Sequence, residues 1–122
     1  MKLTDLLISC GVRASAREIV TECARPLVVT RHSGLIAHIR ELGLIGADAQ
    51  VFEHVTNPDA VFGRVVIGVL PLRLACLALA VVEVPLELTA ADREAGDLPV
   101  ERVRQIAGAP VVYTVRRLGQ LS

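Results

Sequence analysis

Aromatic residues are nearly absent from this chain, which has no Trp, one Tyr and two Phe in 122 residues. Proteins that bind long single strands stack bases on several aromatic rings, so this composition argues against that class. The formal net charge is zero, whereas long nucleic acids are bound by broad basic surfaces. We therefore expect no long nucleic acid as a partner, and an anionic ligand needs a local site.

Cysteine is scarce as well. Cys10, Cys23 and Cys76 are odd in number and form no Cys-x-x-Cys pair, which argues against a disulfide framework or a zinc cage. The first residues lack the long apolar core and the small-residue cleavage site of a secretory signal. These features favour a cytoplasmic protein.

A spanning segment is excluded by the composition of the longest apolar run, Val65 to Val82. This run approaches the length of a transmembrane helix, but it contains Gly68, Pro71 and Arg73. An Arg at the centre of a span costs roughly 2.5–3.5 kcal/mol. Two buried strands around a short helix explain the run without this cost, so we expect no membrane partner.

What the chain does have is a regular alternation of apolar, β-branched runs with amphipathic segments. The runs predict strands over 27–29, 49–55, 64–70, 80–84 and 111–115. This alternation predicts an α/β fold, a single Rossmann-like three-layer domain with a mostly parallel sheet over residues 26–122. Residues 1–25 carry capping signals and a narrow apolar stripe, and we expect them to form an N-terminal helical extension.

Helix boundaries are marked by capping and breaking residues. Gly43 follows the helical pattern that begins near Leu35 and is expected to end that helix. Thr89 is a candidate cap for a partly helical segment, and Asp97 is the expected N-cap of the next helix, with Pro99 near its first turn. A helix over 72–79 is expected after Pro71.

Common catalytic signatures are missing. The chain has no Gly-x-Gly-x-x-Gly after the first strand, no Walker loop, and no cluster of carboxylates at strand ends. His32, His38 and His54 are scattered, and Ser33 lacks the Gly-x-Ser-x-Gly context of a hydrolase nucleophile. We therefore expect no metal and no cofactor.

The loop Thr30-Arg31-His32-Ser33-Gly34 is the main candidate for chemistry. It joins a buried strand to a helix N-terminus, where backbone N–H groups and the helix dipole favour an anion. Arg31 would bind a phosphate through its guanidinium, and His32 would transfer a proton. These parts suffice for metal-independent cleavage of an RNA phosphodiester by attack of the ribose 2′-OH.

Structural roles for the same residues stay open at this point. Arg31 would then pair with a carboxylate, His32 would bond a backbone carbonyl in a turn, and Ser33 would cap the helix. Spacing does not separate these roles from the functional ones at Arg31 and His32. For His38 and His54, spacing favours a structural role.

Four stretches in the same order resemble the small CRISPR-associated proteins of the Csx-sixteen family. They are the run Val29-Thr30-Arg31-His32-Ser33-Gly34, the single residue His54, the segment 65–71 (VVIGVLP) and the closing segment 112–118 (VYTVRRL). The resemblance covers about residues 27–118, whereas residues 1–25 have no counterpart.

The resemblance implies a type III CRISPR ring nuclease that degrades the second messenger cyclic tetra-adenylate. The expected product is linear di-adenylate with a 2′,3′-cyclic phosphate. A cyclic tetranucleotide has approximate two-fold symmetry, so a homodimer is expected. Arg31 and His32 are the expected catalytic residues. The expected ligand contacts come from Thr30, Ser33, Gly34, His54, Gly68, Leu70 and Pro71.

Two other functions are kept as alternatives. In one, the chain binds cyclic oligoadenylate without cutting it, as a sensor or sequestering protein. In the other, the N-terminal helices recruit a further component of the defence system.

Overall fold

The computed structural model describes residues 26–46 and 49–121. The predicted helical extension over residues 1–25, with Cys10 and Cys23, lies outside the described residues. The described part holds five strands and four α-helices. In chain order they are β1 (Leu27–Val29), α1 (Ser33–Glu41), β2 (Gln50–Phe52), β3 (Val65–Gly68), α2 (Leu72–Ala75), β4 (Ala80–Glu83), α3 (Ala90–Ala95), α4 (Val100–Ile106) and β5 (Val111–Tyr113).

The strands form one sheet in the order β2-β1-β3-β4-β5. The pairs β1–β2, β1–β3 and β3–β4 are parallel, and β5 runs antiparallel to β4. The prediction of a mostly parallel α/β sheet is therefore confirmed. This strand order is compatible with a Rossmann-like fold. In such folds ligands bind at the point where the order of the strands in the sheet reverses, which here lies between β1 and β3.

Alternating side chains of the central strands enter two separate hydrophobic cores. Val28 and Ile67 pack in one core with Leu35 and Ile39 of α1 and with Val103 of α4. The other core contains Leu27, Val66 and Leu74 of α2, among others. Full burial of an aliphatic side chain of this size contributes roughly 1.5–3 kcal/mol, so both faces of the central strands contribute to the stability of the domain.

Several elements are shorter than their apolar runs predict. The run over 49–55 contains a strand only at Gln50–Phe52, and all three of its residues are exposed because β2 lies at the edge of the sheet. The helix expected over 72–79 ends at Ala75. The N–H of Leu79 then donates to the carbonyl of Arg64 at 2.9 Å, which leads the chain into β4.

Gly43 ends α1 as predicted. It follows the C-cap Leu42 with a φ of 74°, a conformation that glycine adopts without strain. Among the described residues, none of the helices combines the length and the apolar character that a membrane crossing needs.

Candidate functional site

The loop after β1 is held in place by Thr30. Its N–H donates to the carbonyl of Phe52 at 3.0 Å, and its Oγ1 accepts from the N–H of His32 at 3.1 Å. The register of β1 pairs Val29 with Phe52 on one side and with Gly68 on the other. The loop therefore leaves the sheet at the same edge as the ends of β2 and β3.

The helix N-terminus at this loop already holds a carboxylate. Ser33 is the first residue of α1, and its N–H and its Oγ donate to the two oxygens of Asp97 at 2.9 and 2.8 Å. These two bonds hold the pKa of Asp97 below its usual value. The contact agrees with the physical expectation that this spot favours negative charge.

The same contact corrects two structural expectations. Asp97 does not cap α4, whose N-cap is Pro99 without a side-chain hydrogen bond. Ser33 does not cap α1, whose N-cap is His32, again without a side-chain bond. The carboxylate of Asp97 instead accepts two hydrogen bonds from Ser33 of α1. As the N-cap of α4, it would have accepted from backbone N–H groups of α4.

His32 is half-buried beside this pair. Its Nδ1 is buried, lies 4.0 Å from Oδ1 of Asp97, and has no hydrogen-bond partner among the described residues. A distance of 4.0 Å is too long for a hydrogen bond, so the contact is electrostatic. The alternative role of His32, in which the ring bonds a backbone carbonyl, is therefore not found at Nδ1 in the described part of the chain.

Arg31 is exposed, and no described residue pairs with its guanidinium. The alternative role of Arg31 as a structural ion-pair partner therefore has no support in residues 26–46 and 49–121. An exposed guanidinium next to His32 is chemically suited to a phosphate.

A cleft of about 420 Å³ opens at the carboxyl ends of β1, β3 and β4. We call it the apolar cleft, because most of its lining is aliphatic. It is lined by Val29, Thr30, His32, Leu35, Ile67, Gly68, Val69, Glu83, Val84, Pro85, Leu86 and Leu88. It lies at the β1–β3 switch point, and its volume falls within the range of small-molecule sites, about 300–1,000 Å³.

A second cleft, of about 470 Å³, adjoins the first. We call it the polar cleft. It is lined by Arg31, His32, Leu88, Asp92, Arg93, Gly96 and Asp97. His32 and Leu88 line both clefts, so the two spaces meet at the His32 ring.

The wall of the polar cleft is anchored by Asp92, a buried carboxylate. Arg102 donates to both of its oxygens at 2.8 Å, and the N–H and Oγ1 of Thr89 donate to Oδ2 at 2.9 and 3.0 Å. The Arg102 guanidinium and the Thr89 N–H hold the pKa of Asp92 well below its usual range. Thr89 is the N-cap of α3, as predicted, and forms a capping box with Asp92.

Two glycines of the candidate site serve packing. A Cβ on Gly34 would lie 2.2 Å from the carbonyl oxygen of Leu98, so Gly34 lets α1 approach the segment before α4. A Cβ on Gly68 would lie 2.0 Å from the carbonyl oxygen of Val29, and its φ is 141°. The close approach at Gly68 is therefore made by the neighbouring strand β1, whereas Gly34 is buried and lines neither cleft.

Other predicted site residues lie outside both clefts. Leu70 packs against the core on the α2 side, and Pro71 is exposed at the N-cap of α2, because the chain turns away from the clefts after Val69. His54 is exposed two residues beyond β2. His38, for which spacing favoured a structural role, lies on α1 with its Nδ1 3.9 Å from Oε2 of Glu41 and lines neither cleft.

Sequence patterns did not single out Glu83 and Leu88 in the clefts, nor Asp92 and Arg93, which line the polar cleft together with Arg31. The local sequence signal for Asp92 and Arg93 is the cap at Thr89, which predicts that both residues lie on one short helix. Within the described ranges, no three His, Cys, Asp or Glu side chains are grouped so that they would hold a metal ion.

No known family model, curated protein or solved structure matches this chain.

Proposed function

We propose that this chain is a metal-independent ring nuclease that opens cyclic tetra-adenylate. The observation that carries the proposal is the position of His32, which lines both clefts next to the exposed Arg31. A proton-transfer group is thus near a cation suited to phosphate, at the strand edge where α/β sheets bind ligands. The sequence resemblance supplies the substrate.

The chemistry needs no nucleophile from the protein. The ribose 2′-OH attacks the phosphorus of its own 3′ phosphate, an O2′–P bond forms, and the P–O5′ bond breaks. The 2′-OH loses a proton and the departing 5′ oxygen gains one, with His32 as the proton donor or acceptor. Arg31 stabilises the negative charge on the phosphate oxygens. Two such cuts convert the ring into two linear di-adenylates that end in 2′,3′-cyclic phosphates.

The shape and lining of the apolar cleft suit a nucleoside next to this loop. Its aliphatic walls suit the face of an adenine, and Thr30 and Gly68 stand at its rim where β1 and β3 end. A phosphate attached to that nucleoside would then reach the loop of Arg31 and His32. The N–H groups of Ser33, Gly34 and Leu35 begin α1 at the same place, although Asp97 already accepts from the first of them.

We also propose the larger arrangement in which this site works. A C2 homodimer would present two Arg31-His32 loops to the two halves of the cyclic ligand. The domain would be three-layered, residues 1–25 would add a helical extension, and the protein would act in the cytoplasm to switch off antiviral signalling.

The test is direct incubation of the purified chain with cyclic tetra-adenylate in EDTA, with cyclic tri- and hexa-adenylate as matched rings. Products are separated by chromatography and weighed by mass spectrometry. We expect linear di-adenylate with a 2′,3′-cyclic phosphate. Tight binding without cleavage would instead support a sensor or sequestering protein. Absence of both binding and cleavage for every ring would overturn the proposal.

A further inference from the structure

Arg93 stands in the polar cleft together with Arg31 and His32. It lies on α3, its side chain is exposed, and among residues 26–46 and 49–121 no carboxylate pairs with it. Like Arg31, it is therefore a guanidinium of the polar cleft that has no carboxylate partner within the described ranges.

Helix α3, which carries Arg93, is fixed by hydrogen bonds at its N-terminus and to α4. The capping box of Thr89 and Asp92 closes its N-terminus, and the two-bond pair between Asp92 and Arg102 ties it to α4. Two parallel bonds to a carboxylate fix direction as well as distance. The backbone of Arg93, next in sequence to Asp92, is thereby fixed relative to the sheet and the loop.

The lining of the polar cleft holds two guanidiniums, Arg31 and Arg93, and two carboxylates, Asp92 and Asp97. Its two carboxylates, Asp92 and Asp97, are engaged by Arg102 and Ser33. The guanidiniums of Arg31 and Arg93 have no such partner in the described part of the chain. An anion entering the cleft would therefore meet two cations that no described carboxylate pairs with.

We propose that Arg93 is a second phosphate-binding residue, so that the phosphate that follows the nucleoside in the apolar cleft lies between Arg31 and Arg93, beside His32. This inference rests on the proposed function and specifies the ligand further. The site would select a nucleoside whose 3′ oxygen carries a phosphodiester, as every unit of an oligoadenylate ring does. Each guanidinium would contribute charge-assisted hydrogen bonds to a different phosphate oxygen.

The test compares Arg93→Ala and Arg93→Lys with Arg73→Ala, a matched control. Arg73 is an exposed residue of α2 that lines neither cleft, and its loss changes the net charge equally. Dissociation constants for cyclic tetra-adenylate are measured in the His32→Ala background, and kcat/KM with His32 present. Unfolding curves verify that each variant is folded.

We expect Arg93→Ala to weaken binding about tenfold or more, as for loss of hydrogen bonds to a charged group. Arg93→Lys should fall between, since lysine keeps the charge but not the planar fork, and Arg73→Ala should match the parent. Equal effects of Arg93→Ala and Arg73→Ala would overturn the inference and leave the proposed function standing. A wild-type chain that neither binds nor cuts any of the rings would overturn both.

Discussion

The two clefts that meet at His32 are built from different parts of the fold. Leu35, Ile67 and Val84 in the wall of the apolar cleft are also buried members of a hydrophobic core. The polar cleft is walled largely by exposed side chains, such as Arg31 and Arg93. Substitutions of exposed side chains usually change stability by less than about 0.5 kcal/mol, whereas core changes cost several times more. Substitutions in the wall of the apolar cleft should therefore affect folding, whereas substitutions of the exposed side chains in the polar cleft should affect it little.

The largest expected effect is that of Gly68→Ala at the apolar cleft. Its Cβ would lie 2.0 Å from the carbonyl oxygen of Val29, at a φ of 141° that alanine rarely adopts. Because a backbone atom blocks the new methyl group, we expect a loss of roughly 3 kcal/mol or more of unfolding free energy. Urea unfolding followed by circular dichroism measures this loss.

Gly43→Ala is the matched control for that substitution. Gly43 has a φ of 74°, and a Cβ added there would have no neighbouring atom within 4 Å, so only backbone strain is added. The expected cost is about 1–2 kcal/mol. Equal losses of unfolding free energy for Gly43→Ala and Gly68→Ala would show that the close approach of β1 to β3 at Gly68 adds nothing to the backbone strain.

Arg31→Ala should produce a large loss of activity in the polar cleft. Removing the cation nearest in sequence to His32 is expected to lower kcat/KM for cyclic tetra-adenylate about 100-fold or more. Stability should change by less than about 0.5 kcal/mol, because Arg31 is exposed. Arg40→Ala, on the exposed side of α1, carries the same charge change and should cleave normally. Normal cleavage by Arg31→Ala would remove this residue from the site.

Asp92 is the exception in the polar cleft, because it is buried and structural. Arg102 and Thr89 hold its pKa in the folded state below the value of about 3.9 for an unfolded chain. Its contribution to stability is therefore complete above about pH 4 and is lost as the pH falls further. We expect Asp92→Asn to be less stable than wild type at neutral pH, with a difference that shrinks below about pH 4.

Unfolding free energies between pH 7 and about pH 3 test this behaviour. Asp97→Asn is the comparison, since the pKa of Asp97 is also lowered, but by an exposed serine. The difference in unfolding free energy between wild type and Asp97→Asn should change less with pH than the difference between wild type and Asp92→Asn. If the difference in unfolding free energy between wild type and Asp92→Asn stays constant with pH, the pKa of Asp92 is not lowered in the folded state.

The smallest expected effect is a gain. Asp97→Asn keeps an oxygen that accepts from the N–H of Ser33 but removes a negative charge from the polar cleft. We expect cyclic tetra-adenylate to bind about two- to tenfold more tightly at low salt, with the gain fading at high salt. Calorimetric titration at both salt concentrations measures it. Unchanged affinity at low salt would mean that the phosphate lies elsewhere.

Local patterns were enough to predict the frame of the domain. The β-branched runs around Val28 and Val66 predicted central strands, Gly43 predicted the end of α1, and Thr89 predicted the start of α3. Each of these signals depends on a few neighbouring residues, so no knowledge of tertiary contacts is needed. The loop of Arg31 and His32 could be located for the same reason, since it directly follows a strand.

The far wall of the site was not predictable from local patterns. The bond between Ser33 and Asp97 joins residues 64 positions apart, and Asp97 fits an N-cap equally well by its local sequence. Arg93 lines the polar cleft on the short helix whose Asp92 pairs with Arg102 of another helix, a contact that local sequence does not reveal. Leu70 turns to the opposite core because the chain changes direction at Gly68 and Val69.

The central claim is that His32, where the two clefts meet, takes part in cutting the phosphodiester. Single-turnover cleavage of cyclic tetra-adenylate in EDTA by wild type and by His32→Ala tests it most directly. We expect His32→Ala still to bind the ring but to cut it about 100-fold or more slowly. Cleavage by His32→Ala at the wild-type rate would contradict it.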